Sequence, residues 1–405
     1  MAEAPRAMAT GLIHHPYQPP AGFVAPQPGV YKASTVIFPN VAAMRSAEWK
    51  DRSGYTYGLR GTPTTYLLEE RLSTLEGGKH CLLVTSGLAA IATVSMALLK
   101  TGDEVLIPDN VYGPSKVLAS GELAAWGIAH RFYDPMQPKD LANKIGPNTR
   151  LVWLEAAGSV TMEFPDLIEL VRICKARSVL SALDNTWGAG LAFRPFDLTP
   201  GAGETAVDLT VHALTKYPSG GGDVLMGSII TQDPQLHMRL KMTHMRIGIA
   251  VAANDAETVL RSLPSIVLRY QAHDLAARSL AVWAHGRSEF AQVLHPALPD
   301  APGHTFWRAT CRNGPGGAAG LFSVVFQSHY RTEQVDAFCD ALQLFKLGYS
   351  WGGPISLVVP YDLAQMRGNW PAHLARGTVV RFSAGLEDVA DLQADLEQAL
   401  HKALG

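Results

Sequence analysis

From about residue 64 onward, short apolar runs of strand length alternate with stretches in which apolar residues recur every three to four positions, the helical period. Thr65–Leu75 reads as a helix, Cys81–Thr85 as a strand and Gly87–Leu99, rich in Ala, Ile, Val and Leu, as a buried helix. The unit recurs as a strand at Glu104–Pro108, a helix after Pro114, a short strand near Phe132, a strand at Arg150–Glu155, a helix from Pro165 and a strand at Val179–Asp184. Such alternation predicts an α/β fold with a mostly parallel sheet and right-handed crossovers. Asp208–His212 and Val224–Ile230 add two strands with no helix between them, which lets one run antiparallel. A helical pattern from Ala256 to Ala284 follows, and beyond it the regularity falls. The tail offers strands at Leu321–Phe326 and Val379–Val380-Arg-Phe-Ser383, with helices at Thr332–Leu344 and Leu386–Leu404.

These patterns divide the chain into three parts. Residues 1–62 are rich in proline, glycine and aromatic residues and have little helical periodicity, so they read as an extended arm. An arm with apolar content and no core of its own is expected to pack against another subunit. Residues 63–260 form the α/β domain, and residues 261–405 a smaller α+β domain. A length of 405 residues suits two cores better than one.

Composition narrows the class of partner. With 47% hydrophobic and 17% charged residues the chain belongs among well-packed globular proteins. A formal charge of −2 gives no electrostatic case for nucleic acid or an anionic membrane, so small-molecule partners are favoured. Cys81, Cys174, Cys311 and Cys339 are scattered without ligand spacing, which suggests buried free thiols in a reducing compartment. No apolar run has the ~20 residues that span a bilayer, and the start of the chain lacks a signal-peptide core, so the expected location is cytoplasmic. The fourteen histidines show no HExxH or other tight ligand pair, and no metal site is expected.

Chemistry enters with Lys216, which follows an apolar run and precedes Tyr217-Pro-Ser-Gly-Gly-Gly-Asp223. Asp184 ends an upstream apolar run. A lysine and a carboxylate at the ligand-bearing edge of an open α/β sheet suit a Schiff-base lysine and the partner of a cofactor's ring nitrogen, the logic of pyridoxal phosphate. Taken alone, Asp184 fits a helix N-cap or a turn as well. Thr85-Ser86-Gly87-Leu88 joins a strand to a helix N-terminus, where free N–H groups and the helix dipole favour a phosphate, although small residues in such a turn also serve packing. Tyr112 follows another strand end and is placed either to stack on a flat ring or to fill a structural role. Arg381 ends an apolar strand, where a guanidinium grips a carboxylate of a ligand or of a neighbouring side chain.

Across nearly the whole chain this constellation resembles the Cys/Met-metabolism pyridoxal-phosphate enzymes. The matching segments include Tyr57-Gly-Leu-Arg-Gly-Thr62, Leu154-Glu-Ala-Ala-Gly-Ser-Val-Thr-Met-Glu163, Asp184-Asn-Thr-Trp187, Ala213-Leu-Thr-Lys-Tyr217, Tyr349-Ser-Trp-Gly-Gly353 and Gly385-Leu-Glu-Asp388. The resemblance implies the type I, aspartate aminotransferase-like fold with a mostly parallel seven-stranded sheet. It implies that Lys216 carries pyridoxal 5'-phosphate, that Asp184 pairs with the ring nitrogen, and that Tyr112 stacks on the ring. Ser86, Gly87, Leu88 and Thr215 would hold the phosphate, with Tyr57 reaching across to a neighbour's site. Arg381 would bind the substrate α-carboxylate, beside Tyr349, Ser350 and Trp351. The implied assembly is a homotetramer, a dimer of dimers with active sites shared across each dimer.

The Tyr349-Ser-Trp block resembles the β-lyase branch of the family. That branch implies β-elimination of cystathionine or a related cysteine S-conjugate to a thiol such as homocysteine, pyruvate and ammonia, with Lys216 or Tyr112 removing the α-proton. The alternative is γ-elimination or γ-replacement on a homoserine- or methionine-type substrate; a regulatory protein that retains the cofactor is a further reading. In two places the chain departs from the branch: Leu59 stands where an arginine is usual, with Arg60 next to it, and Met245 stands where a tyrosine is common. Both departures make the distal pocket less polar, and Arg60 is placed to turn toward the gap.

Overall fold

A computed structural model describes residues 7–15, 21–23, 25–200, 205–312 and 314–404. Its larger sheet contains β1 (His80–Val84), β2 (Glu104–Pro108), β3 (Ala129–Tyr133), β4 (Thr149–Glu155), β5 (Leu180–Asp184), β6 (Leu209–Ala213) and β7 (Gly227–Thr231). The spatial order is β1-β7-β6-β5-β4-β2-β3. All neighbours are parallel except that β7 runs antiparallel to both β1 and β6. This is the mostly parallel seven-stranded sheet expected, and its one reversed strand is the second of the pair that lacks an intervening helix.

The central strands are buried on both faces, which explains their continuous apolar runs. Successive residues serve opposite layers. Ala182 and Val211 meet Ile91, Val94 and Leu240 from the helices Gly87–Leu98 and Pro234–Ile247. Leu183 and Leu154 belong to the other layer, with Leu68 and Leu72 from Pro63–Glu76 and Leu170 and Val171 from Leu167–Ala176. Register therefore dictates which residues at the strand ends face the cleft described below.

Five further strands, β8 (Phe290–Leu294), β9 (Leu321–Phe326), β10 (Lys346–Leu347), β11 (Leu357–Tyr361) and β12 (Val379–Ser383), form a second sheet in the order β10-β11-β12-β9-β8. Of these, only β9 and β12 were legible as periodic patterns. β11 carries Pro360, which argues against a strand in sequence, but β10 pairs with Leu357 and Val358 alone, so Pro360 lies past it, where proline is tolerated. The helix expected over Ala256–Ala284 is two helices, Ala253–Ser262 and Ile266–His285, joined by a 3-10 turn at Leu263–Ser265. Pro264 lies in that turn and supplies no N–H to a continuous helical ladder. The helices at Thr332–Ala341 and Val389–Leu404 match the expected ones apart from their ends.

All four cysteines are buried and unpaired. No helix among the described residues is long and apolar enough to cross a membrane.

One polar cluster pins the helix Pro63–Glu76 beneath the sheet's ligand-bearing edge. Glu76 is fully buried and accepts from Thr210 Oγ1 at 2.7 Å and Asn185 Nδ2 at 3.1 Å, and it pairs with His212 Nδ1 at 2.8 Å. Glu76→Ala strands these groups in a dry interior. It is expected to lower stability by about 3 kcal/mol or more in urea unfolding, whereas Glu76→Gln, which keeps an acceptor, loses less.

Candidate active site

The parallel strands β4, β5 and β6 end in Glu155, Asp184 and Ala213, and just beyond these ends opens a cleft of about 770 Å³. Strand ends of this kind are where open α/β sheets hold ligands. Lys216 lies in the connection between β6 and the reversed β7, and its ammonium points into the cleft. Its Nζ donates to Ser350 Oγ at 2.8 Å and lies 4.6 Å from the centre of the Trp351 ring. Burial, then the nearby Arg381 charge, lower the Lys216 pKa to about 8, and Asp184 opposes the shift in part. Ser350 has φ 141°, a conformation unfavourable for a residue with a side chain, and in it the hydroxyl meets the lysine.

Asp184 forms part of the cleft wall, where burial pushes its carboxyl pKa upward. It accepts from Thr186 N at 3.0 Å, and Thr186 Oγ1 in turn accepts from Ala213 N at 2.9 Å, so the carboxylate is held against β6. Ser86 caps the helix Gly87–Leu98, accepting from Ala89 N at 3.0 Å. At the start of that helix Gly87 lies so close to β6 that a Cβ there would come within 2.6 Å of Ala213 Cβ. Gly87 thus lets the free N–H groups of the helix N-terminus border the cleft, with Leu88 and Thr215 also lining it. Thr215 Oγ1 accepts from Met226 N at 3.2 Å, which ties the lysine loop to the start of β7.

Tyr112 presents its ring to the cleft, and its backbone N–H donates to Glu155 at 2.9 Å. Burial and the two nearby carboxylates raise its hydroxyl pKa. Arg381 projects from β12 of the second sheet and is 5% exposed. Its guanidinium donates to Ser159 O at 3.0 Å and lies 5.1 Å from the Trp351 ring and 5.3 Å from the Tyr361 ring. Among the described residues no carboxylate forms an ion pair with it, which removes the structural reading of Arg381 as one half of an internal salt bridge. Burial lowers its pKa, as befits a cation without a counter-charge.

The fold thus gathers Ser86, Gly87, Leu88, Tyr112, Asp184, Thr215, Lys216 and Trp351 around one cleft, with Ser350 on the lysine and Arg381 close to the Trp351 ring. Tyr57 and Tyr349 do not line it in their own chain; they are 46% and 84% exposed. Leu59, Arg60 and Met245 line a second cavity, of about 480 Å³, with Trp49, Tyr66 and Lys241. Arg60 is committed there, 4.7 Å from the Trp49 ring and donating to Thr56 Oγ1 at 3.1 Å. In its own chain Arg60 thus has its partners outside the lining of the Lys216 cleft. Glu155, Ser159 and Trp187 also line the Lys216 cleft and were not singled out from sequence. The sequence signal for them is their place in the Leu154–Glu163 and Asp184–Trp187 segments.

The residues fit pyridoxal phosphate on structural grounds. A buried amine of lowered pKa suits an aldehyde, Asp184 pairs with no side-chain cation among the described residues and suits a protonated ring nitrogen, and the Ser86-Gly87 turn suits a phosphate. Comparison with known proteins agrees. The family model for Cys/Met metabolism PLP-dependent enzymes matches residues 9–401. A cystathionine β-lyase of Bordetella avium is 36% identical over 97% of this chain and 97% of its own. An L-alanine/L-glutamate racemase of Wolbachia pipientis wMel is 33% identical over 92% of each chain. The crystal structure of cystathionine γ-synthase from Xanthomonas oryzae pv. oryzae in complex with aminoacrylate and cysteine superposes with a TM-score of 0.86 at 27% identity, covering 99% of both chains. On this sequence match, in a fold whose cleft carries the lysine and the carboxylate that the cofactor needs, the chain belongs to the Cys/Met-metabolism PLP-dependent enzymes.

Proposed function

We propose that this protein is a carbon–sulfur lyase that removes a thiol from Cβ of cystathionine or a related cysteine S-conjugate and releases pyruvate and ammonia. The observation that carries the reading is a buried guanidinium, Arg381, which pairs with no carboxylate among the described residues and lies, like Lys216, close to the Trp351 ring, beside a cleft whose wall includes Asp184. Such a site takes an amino acid by its carboxylate and presents its α-carbon to an amine. Similarity to the Bordetella avium enzyme favours the β-lyase reaction over the γ-chemistry named for the Xanthomonas relative.

When bound, pyridoxal phosphate supplies an electron sink for the pair left at the substrate's α-carbon. The chain's own groups do the rest. Arg381 holds the α-carboxylate with paired hydrogen bonds, which fixes the substrate's orientation. Lys216, poised near neutrality by burial and by Arg381, removes the α-proton, and Ser350 holds its amine in place. Asp184 would keep the ring nitrogen protonated, Tyr112 would lie against the ring, and Ser86, Gly87, Leu88 and Thr215 would hold the phosphate.

The assembly belongs to the same proposal. Residues 1–62 act as an arm for a neighbouring subunit, residues 63–260 hold the cofactor, and residues 261–405 bring Arg381. The exposure of Phe23, Ile37, Val41 and Met44 supports the arm, since so much apolar surface is costly in water. Tyr57 then serves the neighbour's site in a dimer, two of which make a tetramer, and the enzyme works in the cytoplasm. Because Leu59 supplies no charge and Arg60 is held on Trp49, the preferred leaving group is less polar than the amino-acid end of cystathionine.

Product analysis tests the reaction. Pyruvate with a free thiol is expected, 2-oxobutyrate would indicate γ-elimination, and interconversion of amino-acid enantiomers without a keto acid would indicate racemisation. In the same assay S-alkyl cysteines should show the higher kcat/KM, and a clear preference for cystathionine would refute the leaving-group assignment. Lys216→Ala should abolish the visible absorbance of the lysine-bound cofactor and cost at least ~100-fold in kcat.

The Lys216 environment also sets a pH dependence. A lysine is nucleophilic only when neutral, so the rate at which apoenzyme takes up pyridoxal phosphate should rise with pH and reach half its plateau near 8, well below the usual lysine range. Removing the Arg381 charge should move that midpoint upward, because a repelling cation is lost.

A further inference from the structure

Glu155, the last residue of β4, has no part in the reaction as described, although it lines the Lys216 cleft and bonds to two of its other lining residues. Its Oε2 accepts from the backbone N–H of Tyr112 at 2.9 Å, and its Oε1 lies 2.5 Å from the Ser159 hydroxyl. The carbonyl of the same Ser159 accepts from Arg381 at 3.0 Å. One side chain therefore contacts the peptide that places the Tyr112 ring and the residue that places the Arg381 guanidinium.

Its charge is constrained by its neighbours. Glu155 is directly opposite Asp184 in the β4–β5 register, and both face the same cleft. The titratable groups around this pair are Tyr112 from the adjoining helix, Lys216 and His212 from the β6 side, Glu76 beneath, and Arg381 and Tyr361 from the second sheet. Among the described residues none of the cations forms an ion pair with Glu155. Two ionised carboxylates on adjacent strand ends would repel in a water-poor site, and a proton on one relieves this. Burial, then Asp184, raise the Glu155 pKa to about 8, in the direction the geometry requires.

We propose that Glu155 is a positioning residue held as a neutral carboxylic acid, which braces Tyr112 directly and Arg381 through Ser159, and leaves Asp184 as the single anion for the cofactor's ring nitrogen. In this form the carbonyl oxygen accepts from Tyr112 N–H and the acid O–H donates to Ser159 Oγ. Glutamine reproduces both contacts, its amide oxygen accepting and its NH2 donating. The assignment rests on the reading of Arg381 as the carboxylate anchor and Tyr112 as the stacking ring.

Holoenzyme variants test it with glycine as probe, since glycine binds as an α-amino acid but has no Cβ substituent to lose. Its dissociation constant is read from the change it causes in the cofactor spectrum. Glu155→Gln should stay within ~3-fold of the parent, and Glu155→Ala should weaken glycine binding by up to ~100-fold, the cost of misplacing a site by about an ångström. Infrared difference spectra at pH 6.5 should show a protonated-carboxyl band in the parent that is absent from Glu155→Gln. Parent-like glycine affinity in Glu155→Ala, equal damage in Glu155→Gln and Glu155→Ala, or no such band in the parent would each overturn the proposal. If Glu155→Ala does not fold, Ser159→Ala decides, with a ~10-fold loss expected from one buried hydrogen bond and parent-like affinity counting against the brace. An Arg381→Lys control separates the two levels. Unchanged glycine affinity there refutes the anchor reading and with it the Arg381 half of the brace, whereas loss there with none in Glu155→Ala refutes the brace alone.

Discussion

The site depends on keeping unlike charges close in a place that water scarcely reaches. Asp184, Lys216 and Arg381 come from β5, from the loop after β6 and from β12, and each is disfavoured there as a lone ion. Their mutual arrangement leaves Lys216 close to neutrality and Arg381 without a paired carboxylate among the described residues, so the cleft has electrostatic demand that an anionic, amine-bearing ligand meets. Stability alone would favour apolar residues at these positions. The rest of the fold holds the three groups in spite of that cost.

Two kinds of support do the holding. The parallel sheet sets Glu155 and Asp184 side by side through register, and the dense contact between Gly87 and Ala213 brings the helix N-terminus against the same strand end. The second sheet contributes through a few long-range bonds, Lys216 to Ser350 and Arg381 to Ser159. Below them Glu163 anchors the next layer: burial would raise its pKa, but bonds from His373 and Arg367 more than offset this and hold it at about 2. Arg367 also reaches Asp109 at 3.0 Å, beside the Tyr112 turn, so the segment between β11 and β12 is locked to the cofactor-facing loops.

Much of this architecture is legible in the sequence. Short apolar runs mark the central strands of the larger sheet, because strands buried on both faces must be apolar throughout, and the helical period marks the helices between them. The second sheet was harder to read. β8 mixes Gln and Ala with its apolar residues, β10 has two residues, and β11 contains Pro360, so none carries a local signature; each is a strand because of its neighbours. Pro264 breaks the helix although the apolar period runs on across it, so periodicity alone predicts one helix there.

The sequence by itself determined the sheet, the cofactor and the residues with an obvious chemical type, Lys216, Asp184, Tyr112 and Arg381, because backbone period and functional groups are local properties. Tertiary structure alone decided which of them face one another and in what charge state. It buried Arg381 with no carboxylate paired to it among the described residues, turned Ser350 onto Lys216, set Arg60 on Trp49 and made Glu155 the neighbour of Asp184. Those outcomes depend on distance and solvent exclusion between residues far apart in the chain, and the interaction of two charges is set by the medium and separation that only the folded state provides.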